Sequence, residues 1–274
     1  MSIMSSIINN YWIYTTVLIR NEWNETGTGF IVSDKERRKI YLVTNKHVIN
    51  IDEDKRKSAS KFTFYFNTKT NDTTFRIKEI EVKFIEPKNE WREHQDRNVD
   101  VLAFDITVLL KSERDIEARA IPLDNFCESS TIEQLDIKIA DEVMVFGYPE
   151  LYGLKHEESN FPIVRQGIIA SRITENLKDR GMTGNEEERI LRAFLIDGAI
   201  IPGSSGSPVI LKPTMGRYIK NEYLVQDFQP VLLGIVSEYR IGLIIQKKSD
   251  YLSFANLGLV FRAETIKETI NMFN

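Results

Sequence analysis

The chain has 274 residues; 36 Lys and Arg stand against 40 Asp and Glu, for a net charge of −4, with 42% hydrophobic and 28% charged residues. These are ordinary globular proportions, and the mildly acidic balance leaves no global basic footprint for nucleic acid. The single cysteine, Cys127, excludes an intramolecular disulfide, three histidines argue against a structural zinc site, and no apolar run approaches the ~18 residues of a membrane span. A chain this long buries roughly 70% of its unfolded surface and needs no staple to fold, and at about 150 residues per domain it reads as one or two domains. Residues 1–19 carry no Lys or Arg, and Asn9 and Asn10 interrupt their apolar residues, so no export signal is expected. With the lack of disulfides, this predicts a cytoplasmic setting.

In chain order the sequence reads as short strands separated by turns. Tyr11 to Arg20 is aromatic and β-branched, Gly27 to Ser33 follows a polar turn, and Lys39 to Thr44, Phe62 to Phe66, Phe75 to Phe84 and Val99 to Ile106 continue the series. Alternation is clearest in Phe75 to Phe84, as expected of a half-buried strand. Residues 87–98 are polar and read as a loop. The strand signal pauses at 107–117, which places a boundary between an N-terminal unit, 1–112, and a C-terminal unit, 113–274. In the second unit Val143 to Phe146, Ile163 to Ser171, Ile190 to Ile196, Ser207 to Leu211, Val231 to Tyr239 and Gly258 to Phe261 read as strands. Thr174 to Arg189 is highly charged, holds two glycines, and reads as a solvated loop or short helix. Ile266, Ile270 and Phe273 fall at helical spacing and predict a C-terminal amphipathic helix packed on the second unit. Many short strands with turns between them predict an all-β protein, barrel or sandwich.

Three features carry chemistry. In Pro202-Gly203-Ser204-Ser205-Gly206-Ser207-Pro208, small residues let backbone approach a ligand, and consecutive N–H groups in such a turn can hold an oxyanion. Its plain alternative is a Gly/Ser turn between strands. His47 follows the apolar run Tyr41 to Thr44, where a histidine is often structural. Asp100 lies in Asn98-Val99-Asp100-Val101-Leu102-Ala103-Phe104, where a carboxylate among apolar residues is costly unless partnered or facing water. Nucleophilic hydrolysis needs a hydroxyl, an imidazole base and a carboxylate that orients the base. The chain offers all three in the order His47, Asp100, Ser205. That order differs from those of subtilisins and α/β-hydrolases, and the G-x-S-x-G elbow fails because Ser207 replaces its last glycine.

The segments Thr26 to Val32, Leu42 to Val48, Asn98 to Ala103 and Gly203 to Pro208 resemble a chymotrypsin-like, or trypsin-like, serine protease. They are most similar to the disulfide-free bacterial HtrA-type branch, as are Phe146 to Pro149, Arg165 to Ile169 and Gly234 to Ser237. The resemblance implies two six-stranded antiparallel β-barrels with a cleft between them, His47 and Asp100 coming from the first and Ser205 from the second. It implies a serine endopeptidase acting on polypeptides through an acyl-enzyme, with no cofactor and no metal. Gly203 and Ser205 N–H would form the oxyanion hole. Ser237 would support Asp100 and, with Tyr239, bind substrate backbone by strand addition. The specificity pocket would be lined by Ala199, Tyr239 and Gly258. Ala199 stands where trypsin-like relatives carry an Asp, which argues against simple Lys/Arg specificity. With Ile200 and Tyr239 it suggests a small or medium apolar side chain, although Glu238 could recruit a basic one.

Ser204 stands where digestive relatives hold the Asp that pairs with a freed N-terminus. Control is therefore expected from loop ordering, oligomerisation or a regulatory partner protein acting at 87–98, 147–162 or 174–189. The alternative is a catalytically silent or latent relative that binds peptides. A third reading, esterase or self-processing, rests on Lys178, Arg180 and Arg189. His94 and His156 are expected to face solvent, Cys127 to be a free thiol rather than a nucleophile, and Glu186, Glu187 and Glu188 to form a solvated face. Substrate, oligomeric state and activating signal are left open by the sequence.

Overall fold

A computed structural model describes residues 11–34, 36, 38–49, 61–69, 75–83, 90–150, 160–180, 187–214, 216–219, 222–224, 231–246 and 249–273. The N-terminal elements are β1 (Thr16–Asn21), β2 (Thr26–Ser33), β3 (Ile40–Thr44), α1 (Lys46–Ile49), β4 (Lys61–Lys69), β5 (Phe75–Lys83), β6 (Trp91–Glu93), β7 (Leu102–Asp105), α2 (Thr107–Ser112) and β8 (Ile121–Pro122). They form an eight-stranded sheet in the order β5-β4-β1-β2-β3-β7-β6, with β8 pairing β2 in parallel. After these come α3 (Ser129–Leu135), β9 (Glu142–Gly147), β10 (Ile163–Ile169), β11 (Leu177–Asp179), β12 (Arg189–Leu191), β13 (Ala193–Asp197), β14 (Pro208–Leu211), β15 (Arg217–Ile219), β16 (Glu222–Leu224), β17 (Val231–Gln246), β18 (Ser249–Arg262) and α4 (Ala263–Asn271). Six of them close into a barrel, β10-β13-β18-β17-β14-β9. The second unit is thus the expected six-stranded barrel. The first has more strands, and among the described residues its outermost strands β5 and β6 do not pair with each other.

Alternation explains how the first sheet buries both faces. Val17, Ile19, Ile31, Leu42, Leu102 and Phe104 point into a core of their own with Phe62, Phe64 and Phe66. The intervening Phe30, Val32, Tyr41, Val43 and Ala103 point the other way and join one continuous core with the closed barrel. A period of two lets one strand serve two cores. The two units thus share one core. β8, beyond residue 112, still belongs to the first sheet, and Trp12 stacks on Phe146 of β9 with ring centroids 6.2 Å apart.

Five local expectations are corrected. The aromatic run from Tyr11 is not all strand: residues 11–13 form a helical turn, closed when the Thr15 and Thr16 hydroxyls donate to Trp12 O, and β1 begins at Thr16. Asp100 precedes β7 rather than lying within a strand. The charged segment Thr174 to Arg189 contributes a two-stranded ribbon, β11 with β12, held by the ion pair of Arg189 with Asp179 at 2.7 Å. Helix α4 buries Ile266 and Ile270 as expected, but it bridges both units. Its end places Phe273 5.0 Å from the Tyr41 ring of β3, and its Glu268 carboxylate holds His94 Nε2 at 2.9 Å and pairs with Arg192 at 2.6 Å. His94 is accordingly buried, not solvent-facing.

Because Ile270 is 2% exposed in the core shared by both units, Ile270→Ala should cost about 2–5 kcal/mol. Urea unfolding followed by tryptophan fluorescence measures this. A loss below about 1 kcal/mol would show that α4 is not an integral part of that core.

Candidate active site

Short-range geometry places each side chain. The chain leaves β3 at Thr44 and turns at once into α1, which puts His47 at the mouth of the cleft between the two units. Asn45 Nδ2 donates to Asp100 O at 2.7 Å, and His47 N–H donates to Asp100 Oδ1 at 3.1 Å, so the two segments are fastened before any side-chain ion pair is counted. His47 Nδ1 then meets Asp100 Oδ2 at 2.5 Å. Lys46 turns outward and ties α1 to the carbonyls of His94 and Asp96 at 2.9 and 3.2 Å.

From the barrel side, Ser237 Oγ donates to Asp100 Oδ2 at 2.7 Å. Ser237 is the extra residue of a β-bulge: Val236 pairs with Val260 and Glu238 with Leu259, leaving Ser237 unopposed. Such a bulge re-aims one side chain without ending the strand. Burial pushes the Asp100 carboxyl up, but the His47 charge and the bonds from His47 and Ser237 outweigh it and hold its pKa at about 2. Burial likewise pulls the His47 imidazole down, and the Asp100 charge and hydrogen bond more than reverse this, so its pKa stands above the ordinary 6.5.

Ser205 lies on the turn between β13 and β14. Gly203 and Gly206 take φ of +84° and +86°, a region that glycine enters without cost. At Gly206 a Cβ would stand 1.7 Å from Thr28 O, so no other residue fits. The Ser205 hydroxyl donates to Ser237 O at 2.8 Å and in this rotamer does not engage His47. Among the described residues, Gly203 N–H and Ser205 N–H have no protein acceptor. His47, Asp100, Ser205 and Ser237 line one cleft of about 340 Å³, together with Arg97 and Glu238.

The chain belongs to the trypsin-like peptidase domain family. The family model matches residues 27–217. No curated protein matches the sequence. Among solved structures, the chain is similar to the Rv3671c protease of M. tuberculosis in its inactive form, with 18% identity, 98% of this chain and 94% of that one covered and a TM-score of 0.51. It is also similar to Deg5, with 16% identity, 99% and 95% covered and a TM-score of 0.50. The HtrA-type protease AlgW with tripeptide gives 16% identity, 96% and 60% covered and a TM-score of 0.50. These likenesses show a chymotrypsin-like fold.

Other expected positions fall as follows. Ala199 is exposed on the turn after β13, Tyr239 pairs with Gly258 across β17 and β18, and Ile200 is 4% exposed against Gly258. Cys127 is buried, and burial first, then Glu264 and Glu128, pushes its thiol pKa up to about 12, so it stays protonated. Glu187 and Glu188 are exposed, Glu188 pairing with Lys178 and Arg180. Glu186 and His156 lie outside the described residues. Among those residues no helix is long and apolar enough to cross a membrane, and no group of three or more potential metal ligands occurs. Thr28, Arg97, Asn98 and Leu191 were not picked out from the sequence; Arg97 and Asn98 adjoin the Asp100 motif and Thr28 sits between two glycines, but Leu191 carries no such signal.

The sign of the pair's pH dependence is fixed by these shifts. The imidazole contributes stability below pH 6.5 that fades as pH rises through its raised folded pKa; the carboxylate contributes stability above about pH 4 that is lost as pH falls towards 2. His47 should titrate above 6.5 by NMR, and Asp100→Asn should lower it, because burial is then opposed only by the Glu238 charge. An unchanged titration in Asp100→Asn would refute the pairing.

Proposed function

We propose that the protein is a serine endopeptidase in which His47, Asp100 and Ser205 act as the catalytic triad. The carrying observation is the convergence of Ser205 on a cleft already holding an ion-paired His47 and Asp100, with two unpartnered N–H groups beside the hydroxyl. On substrate binding, Ser205 Oγ turns from Ser237 O to His47 Nε2, gives up its proton, and attacks the scissile carbonyl. Gly203 and Ser205 N–H stabilise the oxyanion. The protonated imidazole, held by Asp100, passes its proton to the leaving amine. Water then hydrolyses the acyl-enzyme by the same steps in reverse order. Ser237 O is freed to accept from substrate backbone, and β17 through Tyr239 offers an edge for strand addition. Control by a partner protein would act through Arg97, Asn98 and Arg189, which line this cleft.

One observation favours a second reading, a latent or silent peptide binder: the resting hydroxyl is engaged by Ser237 O instead of His47. A fluorophosphonate probe separates the two, because it is attacked by Ser205 Oγ with loss of fluoride and leaves a stable mass adduct. The endopeptidase reading expects one adduct on wild type and none on Ser205→Ala or His47→Ala. A folded wild type that takes no adduct would favour the binder.

Specificity follows from Ile200. A methyl group on Gly258 would stand 2.5 Å from Ile200 Cγ1, so the Ile200 side chain rests directly on the Gly258 backbone, where the proposed specificity pocket would have its floor. A small apolar side chain before the scissile bond is the proposed preference. Ile200→Ala should raise cleavage after Leu or Phe relative to Ala by roughly 10-fold or more, the scale of one or two methylenes in a pocket. A peptide library profile that does not move would exclude Ile200 from the pocket.

A further inference from the structure

The two peptide units that carry the unpartnered donors are each held by their carbonyl ends. Pro202 O accepts from Glu150 N at 2.9 Å, and Ser204 O accepts from Ser207 N at 3.1 Å. A trans peptide points its N–H opposite to its C=O, so these two bonds direct Gly203 N–H and Ser205 N–H away from their anchors. The remaining carbonyls of the turn converge on one residue. Gly203 O accepts from Thr28 Oγ1 at 2.8 Å, and Ser205 O accepts from Thr28 N at 2.8 Å. Thr28 Oγ1 in turn accepts from Tyr148 N at 3.0 Å, and Thr28 O accepts from Thr44 Oγ1 at 2.7 Å. Thr28 is 0% exposed, belongs to β2 of the first sheet, and so grips the nucleophile turn of the second unit from outside it. Gly203, Ser204, Gly206 and Ser207 are all uncharged, so no ion pair among these neighbours of Ser205 performs this task.

We propose that Thr28 is the positioning residue of the oxyanion turn: its hydroxyl and N–H lock the backbone from Gly203 to Ser205 with both donors facing the cleft in the resting protein. This rests on the endopeptidase reading and adds to it. The turn needs neither a freed N-terminus nor an ordering event, and control falls on access to the cleft. Thr28 does not touch substrate; it acts through Gly203 and Ser205. Its hydroxyl is specifically required because Gly203 O and Tyr148 N are otherwise left without partners in a buried place, a loss that shape alone does not repair.

The test uses the whole chain with Thr28→Val, which keeps the shape and removes the hydroxyl, and Thr28→Ser, which keeps the hydroxyl. Two readouts are taken on protein shown to be folded by circular dichroism. In fluorophosphonate labelling, Thr28→Val should lower the maximal rate by about 10²-fold, near the loss of one oxyanion donor, while the probe concentration for half-maximal rate stays unchanged. Thr28→Ser should stay within a few-fold of wild type. Amide hydrogen exchange, which needs no activity, should speed up across 201–207 in Thr28→Val and not in Thr28→Ser. Equal labelling and equal exchange in Thr28→Val and wild type would overturn the proposal. So would slowed labelling that Thr28→Ser fails to rescue and that comes without faster exchange. If wild type takes no label but exchange responds as expected, the positioning role stands and the serine-hydrolase reading falls.

Discussion

The arrangement depends on keeping a half-buried carboxylate charged. Asp100 sits where burial alone would raise its pKa, and an uncompensated charge there would cost several kcal/mol. Both oxygens are answered: Oδ1 by the His47 N–H, Oδ2 by the His47 ring and the Ser237 hydroxyl. Two of these partners come from the first sheet's side and one from the closed barrel. The carboxylate is therefore satisfied only when both units are folded and docked, and the geometry of the cleft is a condition of the fold's electrostatics.

The docking that this requires is secured by a shared core and by polar ties at its edge. Strands of the first sheet turn alternate residues into their own core and into the barrel's, so neither unit closes its apolar surface without the other. Thr28 lies at that junction, bonded to the nucleophile turn, to Tyr148 after β9 and to Thr44 at the end of β3. Helix α4 adds a second strap on the far side through Phe273, Glu268 and the buried His94. One consequence is geometric: a serine on one unit is held in fixed relation to an imidazole on the other by packing and hydrogen bonds, the single cysteine forming no disulfide.

Much of this was legible in the sequence because several signals are local. Alternation in Phe75 to Phe84, the helical spacing of Ile266 and Ile270, and the Gly-Ser-Ser-Gly turn each depend on a few neighbouring residues. Part of what was misread depended on distant partners, and part on local bonds that no hydrophobic pattern shows. His94 looked like a solvent-facing residue in a polar stretch, yet Glu268, 174 positions away, gives it a buried hydrogen bond. The charged stretch around Arg180 became a ribbon because Asp179 and Arg189 pair across it. The run after Tyr11 begins as a helical turn because Thr15 and Thr16 can bond Trp12 O.

By itself the sequence determined a mostly β chain and offered three side chains suited to hydrolysis, since periodicity and residue chemistry are properties of short segments; the six-stranded barrel followed from the family resemblance carried by its motifs. Only the tertiary structure decided that the first sheet has eight strands, that Ser237 is aimed at Asp100 by a bulge, that Ile200 rests on Gly258, and that Thr28 holds the turn bearing Ser205. Each of these is a contact between residues far apart in the chain. Their energies come from burial and from hydrogen bonds completed across two units, and no local pattern records which distant atoms will complete them.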